Sequence, residues 1–280
     1  MQKENHKIEI IKASGEKVKF SLDKLRLSLE HTGANKTTVN QIIDVVRDEL
    51  YQGISTKEIY NRAFALLKKK KSHLASKYKL KKAIYELGPT GFPFERFVST
   101  ILKYSGYETT VGKVMQGLCV SHEIDILAQK NSETTIVECK FHSEQGLKCN
   151  VKIPLYISSR FQDVKAHWNS NNHPTLTKGW VVTNTRFTQD ALNFGNCAGL
   201  YLLSWDYPSA NGLKDRIDRL HLYPITVSTL LSNREKQFLI SRDIVLCREL
   251  LQDSFYLDHL GISEIRVEKI LNEIKLLCNK

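Results

Sequence analysis

The chain has 280 residues, 41% of them hydrophobic and 25% charged, with a formal net charge of +11. This length exceeds one ordinary small domain and suits two with an appendage. The balance excludes an intrinsically disordered chain, and the basic excess favours a polyanionic partner such as nucleic acid.

No stretch approaches the roughly 20 apolar residues needed to span a bilayer, and the opening MQKENHK has no apolar signal region. The sequence thus predicts no membrane association. Six cysteines lie far apart, without a Cys-x-x-Cys pair. That pattern predicts a reducing cytoplasm rather than a disulfide scaffold. Cys139, His142 and Cys149 come nearest to a zinc set, and no compact fourth ligand completes it.

In chain order, residues 7–12 (KIEIIK) and 17–20 (KVKF) predict a hairpin around Ser14-Gly15. Helices are predicted near 22–33, 38–51, 55–70 and 73–87. Ser21 and Ser55 stand at N-cap positions, and Val39, Ile42, Ile43, Val46 and Leu50 recur at helical spacing. Lys68 to Lys71 form a run of four lysines, which reads either as a solvated helix end or as a phosphate-contacting patch. Gly88-Pro89-Thr90-Gly91 punctuates the chain. Beyond it, helices at 92–104, 155–168 and 188–194 alternate with strands at 123–128, 134–140, 179–183 and 200–204. The predicted class is α/β within an α+β whole, with a mixed sheet flanked by helices. Residues 211–280 read as a helical C-terminal region. The expected divisions are 7–88, 89–210 and 211–280.

The sharpest chemical feature is Glu123-Ile124-Asp125-Ile126-Leu127, followed after a short turn by Ile136-Val137-Glu138-Cys139-Lys140. Side chains alternate along a strand, so Glu138 and Lys140 share a face. Asp125 lies on the strand expected to pair with theirs. The apolar flanks place these charges against a buried sheet, where they need counter-charges or a metal. Two carboxylates suit Mg²⁺, or Mn²⁺ in its place, and a neighbouring lysine can orient or deprotonate a water.

Asp125, Glu138 and Lys140 resemble the D…(D/E)xK core of the PD-(D/E)XK nucleases. The segments GFPFERFVSTILKYSGYETT, HEIDILA, VECKFH and GWVVTNTRFTQDALNFGNCAGLYLL more closely resemble the Mrr-like, type IV restriction endonuclease-like catalytic domain. The resemblance implies a Mg²⁺-dependent endonuclease acting on double-stranded DNA in defence against foreign or modified DNA, and cutting two antiparallel strands suits a homodimer. It adds Glu95, on the preceding helix, as a further acid. Many members have Gln-x-Lys where this chain has Glu-Cys-Lys. Arg160 on the next helix reads equally as a phosphate contact or a surface residue.

Residues 7–88 are similar to ATP-cone domains, on the stretch from Ile10 to Leu25, on Gly53-Ile54-Ser55-Thr56-Lys57-Glu58-Ile59-Tyr60, and on the last helix. This resemblance implies ATP or dATP as a regulatory ligand, held by Lys12, Ser21, Lys24 and Thr56. Ala13 stands where the family has arginine. His259-Leu260-Gly261-Ile262-Ser263 resembles a helix-hairpin-helix turn. Two other functions share the same residues: a catalytically inactive, nucleotide-responsive DNA-binding regulator, and a repair or junction-resolving nuclease.

Overall fold

A computed structural model describes residues 8–169 and 175–279. The polar segment 1–7, including Lys7 at the start of the predicted hairpin, lies outside the described residues.

The N-terminal module opens with β1 (Glu9–Ile11) and β2 (Lys17–Lys19), paired antiparallel around a turn in which Gly15 has φ +81°. Three helices follow: α1 (Leu22–Glu30), α2 (Lys36–Asp48) and α3 (Thr56–Lys70). Side chains of Ser21, Asn35 and Ser55 accept the backbone N–H three residues on, so each helix starts where an oxygen satisfies an otherwise free donor. Their apolar faces, with Leu29, Val39, Ile43, Val46, Ala63 and Leu67, close one small core. The fourth predicted helix is two: α4 (Ser72–Tyr78) and α5 (Leu80–Tyr85). The break falls at Lys79, whose ammonium is drawn inward to the Thr226 carbonyl at 3.1 Å and the Glu86 carboxylate at 2.6 Å. Leu74 and Ala75 of α4 belong to the small core, whereas Leu80, Ala83 and Ile84 of α5 belong to the large one. The N-terminal module is therefore fastened to the rest through α5.

The large core covers one face of a five-stranded sheet of order β3-β4-β5-β7-β9. Its members are β3 (Glu108–Gln116), β4 (Ser121–Lys130), β5 (Glu133–Lys140), β7 (Leu176–Thr183) and β9 (Tyr201–Leu203). The first three run antiparallel, and β5, β7 and β9 are parallel. Two-residue strands β6 (Lys148–Cys149) and β8 (Arg186–Phe187) pair beside it. Alternation sends neighbouring residues to opposite layers. Val137, Val182 and Leu203 pack with α6 (Phe92–Tyr104), while Ile136, Val181 and Leu202 pack with α7 (Lys152–Asn169) and α8 (Gln189–Cys197).

The C-terminal helices are α9 (Leu213–Leu220), α10 (Asn233–Ser241), α11 (Cys247–Gln252), α12 (Phe255–His259) and α13 (Glu264–Cys278). They share the large core on the α6 side. Buried Glu273 of α13 accepts hydrogen bonds from Ser76 of α4 and from Ser228 and Thr229, which ties both ends of the chain together. The molecule is α+β, with a mixed sheet between helical layers. All six cysteines are free. Among the described residues no helix is long and apolar enough to cross a membrane.

Candidate active site

The site arises where β4 and β5 part company. Their ladder runs from Lys130↔Glu133 to Ile126↔Val137 and stops. Beyond it β4 continues on β3 alone, and β5 continues on β7 alone. A splayed pair leaves ladder donors without their usual acceptors, and buried N–H groups must find others. Asp125 supplies one: its Oδ2 accepts the Cys139 N–H at 2.6 Å. Extending the register puts Asp125 opposite Glu138.

Glu138 is 7% exposed. Burial, and then the nearby Asp125 carboxylate, push its pKa up to about 8, and Arg160 only partly offsets them. Asp125 is also raised, chiefly by burial, although the Cys139 N–H opposes the shift. Glu95, in the first turn of α6, is raised to about 7 by burial and then by the charges of Asp125 and Glu123. Four acids thus crowd one fork, which is a poor home for anions unless a cation joins them.

Arg160 already plays that part. Its guanidinium forms an ion pair with Glu138, donates to the Glu123 carbonyl at 3.1 Å and hydrogen-bonds the Tyr156 hydroxyl. Its buried Nε has no hydrogen-bond partner among the described residues. A sequence signal for this existed. Ile157, Phe161 and Val164 are the buried stripe of α7, and Arg160 falls within it at i+3 from Ile157, where a surface arginine does not belong. Glu123 was also legible, since it shares a face with Asp125 two residues away.

Lys140 ends β5 on the face of Glu138 and is exposed, with no ion pair or hydrogen bond among the described residues. Two residues on, His142 is fixed: its N–H donates to Asn184 Oδ1 at 2.9 Å, and Asn184 Nδ2 donates back to its carbonyl at 2.8 Å. His122 meets Asp163 of α7 at 2.7 Å. Asp163 also accepts the backbone N–H groups of Cys119 and Val120, so this pair secures the β3–β4 turn. The His122 contact, with Cys119 N–H next, holds the Asp163 carboxyl down at about 2.

Among the described residues no three acidic, His or Cys side chains already converge as a complete metal-binding group. The donors nevertheless fit a hydrated Mg²⁺, which is commonly held by one or two carboxylates and keeps several waters. Asp125 and Glu138 would hold it. The surplus of acids and the guanidinium drawn into them are the structural observations in favour. Cys139, His142 and Cys149 do not form a zinc group among the described residues.

In the N-terminal module, Lys12, Ser21, Lys24 and Thr56 all line one cavity of about 250 Å³. The Ser21 hydroxyl is also engaged, accepting the Lys24 N–H at 3.3 Å as the α1 cap.

Residues 89–206 match the family Mrr_cat, described as restriction endonuclease, and residues 223–278 match the family described as AF1548-like, C-terminal. An uncharacterized protein of Archaeoglobus fulgidus is 30% identical over 179 residues, which are 64% of this chain and 98% of that one. The crystal structure of a protein of unknown function, AF1548, matches with a TM-score of 0.55 at 28% identity, covering 70% of this chain and 100% of the other. The chain therefore belongs to the family of that archaeal protein, carrying a restriction endonuclease-like domain at 89–206 and an AF1548-like C-terminal domain at 223–278.

Proposed function

We propose that this protein is a divalent-ion-dependent endonuclease that hydrolyses double-stranded DNA at the fork between β4 and β5, and that ATP or dATP bound to the N-terminal module regulates it. The observation that carries the reading is the fork itself: Asp125 and Glu138 are brought opposite each other at the point where two strands separate, within the domain that matches the restriction endonuclease family.

Mg²⁺, or Mn²⁺, would neutralise a phosphodiester and acidify a bound water when held there. Asp125 stays oriented by its hydrogen bond to Cys139. Lys140, free and on the same strand face, orients that water or accepts its proton. Glu95, whose carboxyl titrates at about 7, can exchange a proton near neutrality. Arg160 releases Glu138 and becomes available to a phosphate oxygen, for which a guanidinium is well shaped. The net charge of +11 supplies the attraction for DNA. A two-fold dimer would offer two forks to antiparallel strands. The restriction endonuclease family supports a role against foreign or modified DNA. Repair or junction resolution would use the same fork on branched DNA.

The nucleotide reading rests on Lys12, Ser21, Lys24 and Thr56 lining one cavity and on the N–H groups at the start of α3, which suit an anion.

The test is cleavage of supercoiled plasmid. Wild-type protein should nick or linearise it with Mg²⁺ and stop on chelation, while Lys140→Ala should be inert yet folded. Undiminished cutting by Lys140→Ala would refute the assigned mechanism.

A further inference from the structure

A cavity of about 660 Å³ is not confined to the N-terminal module. It is lined by Lys12 of the hairpin, Lys57 and Tyr60 of α3, Lys81 and Lys82 of α5, and Gln145. Gln145 comes from the nuclease domain, five positions beyond Lys140. The volume falls in the ordinary range for a nucleotide-sized ligand.

Its chemistry favours a polyphosphate. Four lysines line it and no carboxylate does. Lys12 has an exposed counter-charge in Glu16, at 2.9 Å, and Lys82 has one in Glu86, at 3.9 Å, but surface pairs of this kind are weak and easily shared. Lys81 is crowded by charges of its own sign: desolvation first, and the Arg186 charge next, lower its pKa. Ser55 and Thr56 at the start of α3 also line the cavity, beside backbone N–H groups that suit phosphate. The Tyr60 hydroxyl is buried without a hydrogen-bond partner among the described residues, and a buried polar atom of that kind calls for a reason. Ile11, Ala13 and the Tyr60 ring leave an apolar side for a base.

The segment that carries Gln145 is pinned at both ends. Its first end is His142, clamped by Asn184. Its second is Lys148–Cys149, paired with Arg186–Phe187. Residues 143–147 are all exposed and carry a turn at 145–146. Lys81 also lines a second cavity, of about 530 Å³, together with Arg186, Trp205 and Lys214 of the main body. The basic lining therefore continues across the junction.

We propose that a nucleoside polyphosphate binds in this cavity with the nuclease domain as part of its site, Gln145 donating to a phosphate oxygen while the lysines hold the charge, so that occupancy orders residues 143–147 beside the strand that ends at Lys140. This inference rests on the reading of the N-terminal module as a nucleotide site, moves the polyphosphate to the neighbouring cavity that shares Lys12 and Thr56 but not Ser21 and Lys24, and adds how occupancy reaches the active fork.

The experiment uses the full chain. ATP and dATP are titrated calorimetrically into wild type, Gln145→Ala and Lys81→Ala, and backbone hydrogen exchange is followed for residues 141–149 with and without ATP. Gln145→Ala should weaken binding by about threefold to tenfold, the worth of one hydrogen bond, and Lys81→Ala by a similar factor or more. ATP should slow exchange at 143–147 in wild type and not in Gln145→Ala. Equal ATP affinity in wild type and Gln145→Ala, with exchange unchanged by ATP, would overturn the shared site and leave the nucleotide reading standing. Failure of wild type to bind either nucleotide would remove that reading, and the shared site with it.

Discussion

Two regions of this molecule gather charge in opposite ways. At the fork between β4 and β5, Glu95, Glu123, Asp125 and Glu138 lie near enough to feel one another's charge, and Arg160 pairs with Glu138. At the junction cavity four lysines converge and no carboxylate of the lining answers them. The first region is compensated from within and must exchange one cation for another to work. The second pairs Lys12 with Glu16 and Lys82 with Glu86 at the surface and leaves its basic excess open to solvent. The difference shows that burial decides how much compensation the fold itself must supply. Glu138 is 7% exposed and cannot stand alone, whereas Lys12, Lys57, Lys81 and Lys82 keep some contact with solvent and wait at little cost.

The comparison can be broken most forcefully at the fork. Asp125→Asn and Lys140→Ala should each lower plasmid cleavage by about 10²–10⁴-fold, with circular dichroism and the thermal midpoint nearly unchanged for the exposed Lys140. Arg160→Met tests the internal cation. It leaves Glu138 buried without its guanidinium, so in chelator the protein should lose about 3 kcal/mol of stability in urea unfolding. Mg²⁺ should restore much of that loss and bind more tightly than to wild type, because no guanidinium competes.

The pH dependence should follow from the same crowding. Glu138 titrates at about 8 in the folded chain and near its ordinary value of about 4.5 when unfolded. Between those values the native state holds a proton that the unfolded state has released, so stability falls as pH rises through this window. In chelator the effect should be at most a few kcal/mol, and it should flatten in Glu138→Gln or with Mg²⁺ present. The smallest effect belongs to the other region. Ser55 caps α3 by accepting the Glu58 N–H at 3.1 Å, so Ser55→Ala should cost about 1 kcal/mol. Because the N-terminal module has its own core, the loss should register there, with cleavage in the absence of nucleotide preserved.

Much of this was legible in the amino-acid order, and the remainder was not for identifiable reasons. The α6 helix runs from Phe92 to Tyr104, as its apolar spacing predicts, and β4 and β5 bracket the EIDIL and IVECK segments. Strand β3 escaped because only Met115 of its nine residues is buried. An edge strand is defined by pairing with β4, which local composition does not reveal. The two-residue strands β6 and β8 carry no periodicity at all. The break at Lys79 reflects a distant carbonyl, that of Thr226. The acids could be named from alternation and apolar flanks, but the fork that opens between them depends on where the ladder ends. Arg160 was visible as a charged residue in an apolar stripe, although its salt bridge to Glu138 spans 22 positions. The place of Gln145 in the lysine cavity comes from the docking of one module on another, which no local pattern reveals.

The most direct test of the account is calorimetric titration of Mn²⁺ into wild type and Asp125→Asn at neutral pH. The account predicts one ion per chain in wild type and no measurable binding in the variant, with both equally folded. Equal binding by the two proteins would contradict the claim that the carboxylates at the parting of β4 and β5 hold the ion.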